Sequence, residues 1–98
     1  VIHLKVKFFA LLRDITGVKE TADFTGGTVL ELLENLCSHY GKRLAEWIFA
    51  PPAVGKKREL SGNVIILVNG RAIEHLAGIE TPLKQDDEVA IFPRMAGG

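Results

Sequence analysis

One amphipathic segment, residues 29–40, stands alone among several short stretches of strand-like alternation, and this limits how the chain can build a core. Leu30, Leu33, Leu36, Cys37 and Tyr40 recur at helical spacing and form one apolar stripe. Both ends of the segment are marked. Thr28 and Glu31 are three residues apart, the spacing of a capping box. Gly41 stands where a left-handed C-terminal cap belongs. The spacing predicts a helix over 29–40. A shorter helical piece, Leu44 to Phe49, carries Trp47, Ile48 and Phe49, and Pro51-Pro52 forbids its continuation.

The strand signals lie on either side of that helix. Ile2, Leu4, Val6 and Phe8 alternate with His3, Lys5 and Lys7, a period of two that reads as a strand with one buried face. Phe9 falls on the polar side of that alternation. Arg13 to Gly17 reads as a loop or short helical turn, and Val18 to Thr25 as a weaker strand paired antiparallel to the first. Ala50 to Gly62 is a long polar loop holding Lys56-Lys57-Arg58, which reads as solvated charge. Val64-Ile65-Ile66-Leu67-Val68 reads as a central strand covered on both faces. Asn69-Gly70 is a strong hairpin signal and makes Arg71 to Ile73 a short return strand. Gln85-Asp86-Asp87 forms a turn before the final strand, Glu88 to Phe92. One long helix must cover one face of this sheet, so the class is α+β. The first and last strands, among the most apolar, belong side by side in the middle. That arrangement is the β-grasp: a mixed sheet of four or five strands on one long helix, in a single domain over 1–98.

Composition narrows the chemistry. Ninety-eight residues support one core, and 12 basic residues balance 12 acidic ones. That balance gives no electrostatic case for nucleic acid or an anionic membrane. No apolar run approaches the ~20 residues of a membrane span. The one cysteine, Cys37, sits on the helix stripe and reads as a packed, inert thiol. His3, His39 and His75 lack paired ligand spacing, so no metal site is expected. The cytoplasm is the expected location.

The sequence closes on Met95-Ala96-Gly97-Gly98. Two glycines make a thread without side chains, able to enter a slot where any Cβ would clash. Residues 94–98 read as a flexible tail, and the stretch from Pro93 onward, if extended, spans roughly 20 Å. The tip then reaches the active site of another protein. Phe9, placed outward by its parity, and Phe92, beside the tail, are candidates for an apolar docking patch.

Two stretches carry a resemblance to a known family. Lys7-Phe8-Phe9-Ala10-Leu11-Leu12-Arg13 resembles the opening strand and loop of the MoaD/ThiS sulfur carriers. Asp87-Glu88-Val89-Ala90-Ile91-Phe92-Pro93, followed by Gly97-Gly98, resembles their ending. The first motif favours the molybdopterin-synthase small subunit, and the region from Asn63 to Arg71 looks like archaeal-type members. Arg94 stands where the family usually has a second proline, and Asp86 where it usually has glycine. The resemblance implies that an ATP-using, E1-like enzyme adenylates Gly98, that sulfur displaces AMP, and that the resulting thiocarboxylate donates sulfur inside the large synthase subunit. Gly98 carries that chemistry and Gly97 allows close approach. Phe9, Arg13, Phe92, Pro93, Arg94, Met95 and Ala96 are the implied partner contacts. The chain is then no enzyme on its own, binds no cofactor, and relies on ATP bound by the activating enzyme. Three alternatives stand beside this: a ubiquitin-like modifier joined to target-protein lysines through Gly98, a thiamine-pathway sulfur carrier, and a β-grasp module that only binds.

Overall fold

The period-two segments become strands in the computed structural model, which describes residues 2–52, 54–55 and 58–94. They are β1 (Leu4–Phe8), β2 (Glu20–Phe24), β3 (Val64–Val68), β4 (Arg71–Ala72) and β5 (Glu88–Pro93). Helices α1 (Leu11–Thr16), α2 (Val29–Tyr40) and α3 (Lys42–Ile48) lie between them, with 3-10 turns at Ile73–His75 and Gly78–Glu80. The strand order is β2-β1-β5-β3-β4. The first and last strands do meet in the middle, and they run parallel, with Lys5 opposite Glu88 and Phe8 opposite Ile91. β2 and β3 flank them antiparallel, giving a mixed sheet.

Thr28 caps α2 as its spacing to Glu31 predicts, while the return bond of Glu31 goes to Gly27, one residue before the cap. Glu31 N–H donates to Thr28 Oγ1 at 3.2 Å, and Gly27 N–H donates to Glu31 Oε1 at 2.7 Å. Gly41 differs from expectation. Its φ of 97° with ψ of −170° is not the left-handed helical cap but a conformation open chiefly to glycine, and it lets α2 run directly into α3. At the other end of α2, a Cβ on Gly26 would lie 2.6 Å from Leu32 N, so the approach to α2 needs glycine there. The Asn69-Gly70 turn joins β3 to β4 with φ of 51° and 85° at its two residues, the primed geometry of a tight hairpin.

The one long helix, α2, is joined in its layer by the short α1 and α3, whose Leu12, Leu44 and Ile48 are fully buried with the α2 stripe. Two readings are corrected. The most buried α2 positions are Val29, Leu32, Leu33 and Leu36, while Leu30, Cys37 and Tyr40 flank them half-buried. The apolar arc is wider than one stripe, and the sheet takes its centre. Finally, β3 is not covered on both faces. Val64, Ile66 and Val68 point into the core, whereas Ile65 and Leu67 are half-buried on the opposite face. All the helices lie on the other side, so a continuous apolar run here serves one core face and one outer face.

Candidate docking face and tail root

The face of the sheet away from the helices is apolar at one end and charged at the other. Cross-strand register sets this out. Phe9 follows β1 and stacks on Phe92 of β5, ring centroids 4.1 Å apart and planes 8° from parallel. Phe92 pairs with Ile65, and the next row brings Lys7, Ala90 and Leu67 into line. One row further, Lys5 lies opposite Glu88. Phe9, Phe92, Ile65 and Leu67 are each half-buried, so their rings and methyls cover one another yet remain partly in contact with water. The apolar strip and the charged row therefore share one face of the sheet.

Arg13 belongs to this patch. It lies in α1 rather than in a loop. Its Nε donates to the Phe8 carbonyl at 2.8 Å, which turns the guanidinium over the Phe9 ring at 5.3 Å from the centroid. The turn that places it is unusual. Leu12 N–H donates to the Phe9 carbonyl at 3.1 Å, and Ala10 between them takes φ 52° and ψ −133°. A residue with a Cβ is strained there by about 1–3 kcal/mol. Buried Phe8 and Leu12 on either side hold it in place.

The charged end carries one ion pair. Lys7 Nζ lies 2.6 Å from Glu88 Oε1. The hydrogen bond with Glu88 raises the Lys7 pKa, and the same bond lowers that of Glu88. On the helical side, burial pushes the Cys37 thiol up to about 11, so its reactive thiolate is scarce at neutral pH. Arg58 stacks over Phe49 at 4.0 Å, while Lys56 and Lys57 lie outside the described residues. Among the described residues, no group of three His, Cys, Asp or Glu side chains is placed to hold a metal.

The root of the tail sits beside the apolar end. Arg94 is exposed, and its N–H donates to the Asn63 carbonyl. Pro93 is buried on the inner row of β5, so its side chain is not presented to a partner, contrary to the sequence reading. Its position follows from the ladder. Arg94 N–H faces Asn63, so the Pro93 nitrogen faces the β1 side, where β1 pairing has already ended at Phe8. Proline sits there without removing a sheet hydrogen bond. Met95, Ala96, Gly97 and Gly98 lie outside the described residues. The structure thus brings Phe9, Arg13 and Phe92 together near Arg94, and adds Ile65 and Leu67, which were read as core. Their signal was available: a sheet with helices on one side must leave alternate residues of a central strand outward.

A β-grasp body with helices on one face and an apolar patch on the other defines a ubiquitin-like protein. The chain belongs to the ThiS family, whose model matches residues 6–98. It is 35% identical to small archaeal modifier protein 3 of Haloferax volcanii, over 98% of this chain and 99% of that protein. It is 27% identical to the sulfur carrier protein CysO of Mycobacterium tuberculosis, over 98% and 99% of the two chains. Among solved structures, small archaeal modifier protein 1 of Methanosarcina acetivorans superposes with a TM-score of 0.85 at 36% identity, covering 99% of this chain and 97% of that one. A chain of the Amycolatopsis orientalis BexX/CysO complex superposes with a TM-score of 0.77 at 27% identity, covering 97% and 99%. The chain is therefore similar throughout its length to sulfur carrier proteins and small archaeal modifier proteins. No helix among the described residues is long and apolar enough to cross a membrane.

Proposed function

We propose that this protein carries sulfur as a thiocarboxylate on Gly98 and delivers it in molybdopterin biosynthesis, as the small subunit of a two-protein synthase. The observation that carries the docking part of this reading is the Phe9–Phe92 stack with Ile65 beside it, at the end of the sheet where Arg94 begins the tail. A partner seated there adjoins Arg94, after which four residues of the sequence remain, ending in Gly97-Gly98. The molybdopterin assignment is supported by the Lys7 to Arg13 and Asp87 to Pro93 motifs.

The chemistry follows from the carboxylate. As an anion it repels nucleophiles, so an E1-like enzyme must first join it to AMP from ATP, releasing pyrophosphate. A sulfur nucleophile then displaces AMP. The thiocarboxylate sulfur then attacks a carbon of the pterin precursor within the large subunit and displaces an oxygen substituent there; water cleaves the resulting Gly98 thioester, leaving the sulfur on the pterin and restoring the Gly98 carboxylate, with acid–base groups supplied by the large subunit. Gly97 admits the enclosing backbone, and Gly98 holds the reacting carbon. A misplacement of 1 Å there costs on the order of a hundredfold in rate. Phe9, Phe92, Ile65 and Arg13 dock, with Arg13 suited to pair a partner carboxylate. The site of action is the cytoplasm, and the chain itself holds no ATP.

A second reading is favoured by the small archaeal modifier proteins among the relatives. The same acyl-adenylate is then attacked by a lysine of a target protein, forming an isopeptide bond. Both readings share the activating step and part at the acceptor. Incubation with the adenylating enzyme and large synthase subunit of the same genome tests the first. Conversion of a pterin precursor that depends on a thiocarboxylated chain supports it. Conjugates lost on removal of Gly98, with no pterin conversion, support the second.

A further inference from the structure

Two cations adjoin the Phe9–Phe92 stack, and neither is in an ion pair among the described residues. Arg13 holds its guanidinium over the Phe9 ring. Arg94 follows Phe92 on the outer row, since Glu88, Ala90 and Phe92 alternate with buried Val89, Ile91 and Pro93. The bond from Arg94 N–H to the Asn63 carbonyl fixes its backbone, and the residue is exposed. It lines a groove of about 160 Å³ with Leu60, Ile65 and Glu74, yet forms no ion pair with Glu74. The ion pair found among the described residues is Lys7–Glu88, and Glu20 lies opposite Lys7 as well. The chain as a whole is neutral, with 12 basic and 12 acidic residues, but the apolar end of this face is positive. Arg94 also stands between the two features a partner must hold. Phe92 is two residues before it, and Gly98 is four residues after it, at most about 14 Å away. An enzyme that covers the stack and grips the chain end takes the Arg94 guanidinium into its interface. Drawing that charge out of water without a counter-charge is strongly unfavourable, and a carboxylate offsets it with two parallel hydrogen bonds. We infer that Arg94 determines which partner the chain accepts, by pairing with a carboxylate at the mouth of the site where the adenylating enzyme takes the tail. Arg13 gives the same surface a second positive charge, so an apolar seat with an acidic rim fits it and one with a basic rim is repelled. This rests on the docking reading above, and it holds for sulfur transfer and for protein modification alike, since both begin with adenylation.

The test is pyrophosphate release by the activating enzyme of the same genome, with wild type, Arg94→Gln, Arg94→Glu and Lys42→Glu as substrates. Lys42 is exposed at the start of α3, on the helical side, and its reversal changes the net charge as much as that of Arg94. Arg94→Gln raises KM about thirtyfold with kcat near wild type, the loss expected when one member of an enclosed charge pair is removed. Arg94→Glu raises it roughly tenfold further, because it sets like charges together. Lys42→Glu keeps the wild-type KM. The thermal midpoints of the four chains stay close together, since the changed side chains lie outside the core. An unaltered KM in both Arg94 variants overturns the inference. So does an equal rise in the two, which reports lost packing rather than charge, and so does an equal rise in Lys42→Glu, which reports net charge alone. A lowered midpoint in the Arg94 variants overturns it too, by giving that side chain a role in the fold. Each of these results, with the wild type adenylated, leaves the carrier reading standing. A wild-type chain that this enzyme does not adenylate overturns the carrier reading and the inference together.

Discussion

Phe8 and Phe9 are neighbours in sequence and opposites in use. Phe8 is fully buried among the helices, with the edge of its ring set against Tyr40 at 5.7 Å. Phe9 stands on the other face of the same sheet, stacked on Phe92 and still partly wet. The same division runs along β3, where Val64, Ile66 and Val68 face the core and Ile65 and Leu67 face outward. Residue type does not separate the two sets. The side on which the helices lie does, and it divides the sheet into a face that folds the protein and a face left for something else.

The largest effect that would break this comparison is in the core. Phe8→Ala should cost about 3–5 kcal/mol in urea unfolding, enough to remove much of a small domain's stability. Phe9→Ala should cost only about 0.5–1.5 kcal/mol, the worth of an aromatic pair. Its KM for adenylation should nevertheless rise about tenfold or more, as for a truncated interface anchor. Equal stability losses in the two variants would erase the distinction between faces. Ile65→Asp sharpens it further: circular dichroism should show an intact fold while adenylation falls by a similar factor.

A smaller effect belongs to Asp86, which holds φ of 68° in the turn before β5. Its N–H is bonded to the His3 carbonyl at the charged end of the sheet, away from the tail. Asp86→Gly should stabilise the chain by up to about 1 kcal/mol and leave adenylation unchanged. The smallest effect is that of the Lys7–Glu88 pair, exposed and screened by salt. Glu88 has its pKa lowered, so its stabilising contribution is present above the ordinary value of 4.5 and fades as pH falls through the folded value. Lys7 has its pKa raised, so its contribution is present below 10.5 and fades as pH rises beyond that. Lys7→Met should therefore differ from wild type near neutral pH and converge with it in acid, in low salt more than in high.

Much of this division was legible before any coordinates. Thr28, Glu31 and Gly41 bounded α2 because capping and backbone freedom are local matters, and Asn69-Gly70 marked its hairpin for the same reason. The central placement of β1 and β5 followed from their apolar character. What stayed hidden depends on contacts across the chain. Helix α1 has six residues, too few to be stable alone, and exists because Leu12 is buried. The outward faces of Ile65 and Leu67 were masked because an apolar run reads the same whether both sides or one side are covered. Ala10 carried no turn signal at all, since alanine is a residue such a turn disfavours. The proximity of the candidates Phe9, Arg13 and Phe92 was legible from parity and motif, while Pro93 was misplaced because its neighbours suggested a tail rather than the end of a ladder.

The division of labour between the two faces has its point only if the chain end becomes charged. Intact mass after incubation with the activating enzyme, ATP and a sulfide donor tests this most directly, run on the wild type and on a chain lacking Gly98. The wild type should gain the mass of one oxygen exchanged for sulfur, localised to the terminal peptide, and the truncated chain should gain nothing. An unchanged wild-type mass, under conditions that charge a known carrier of this family, would contradict the account.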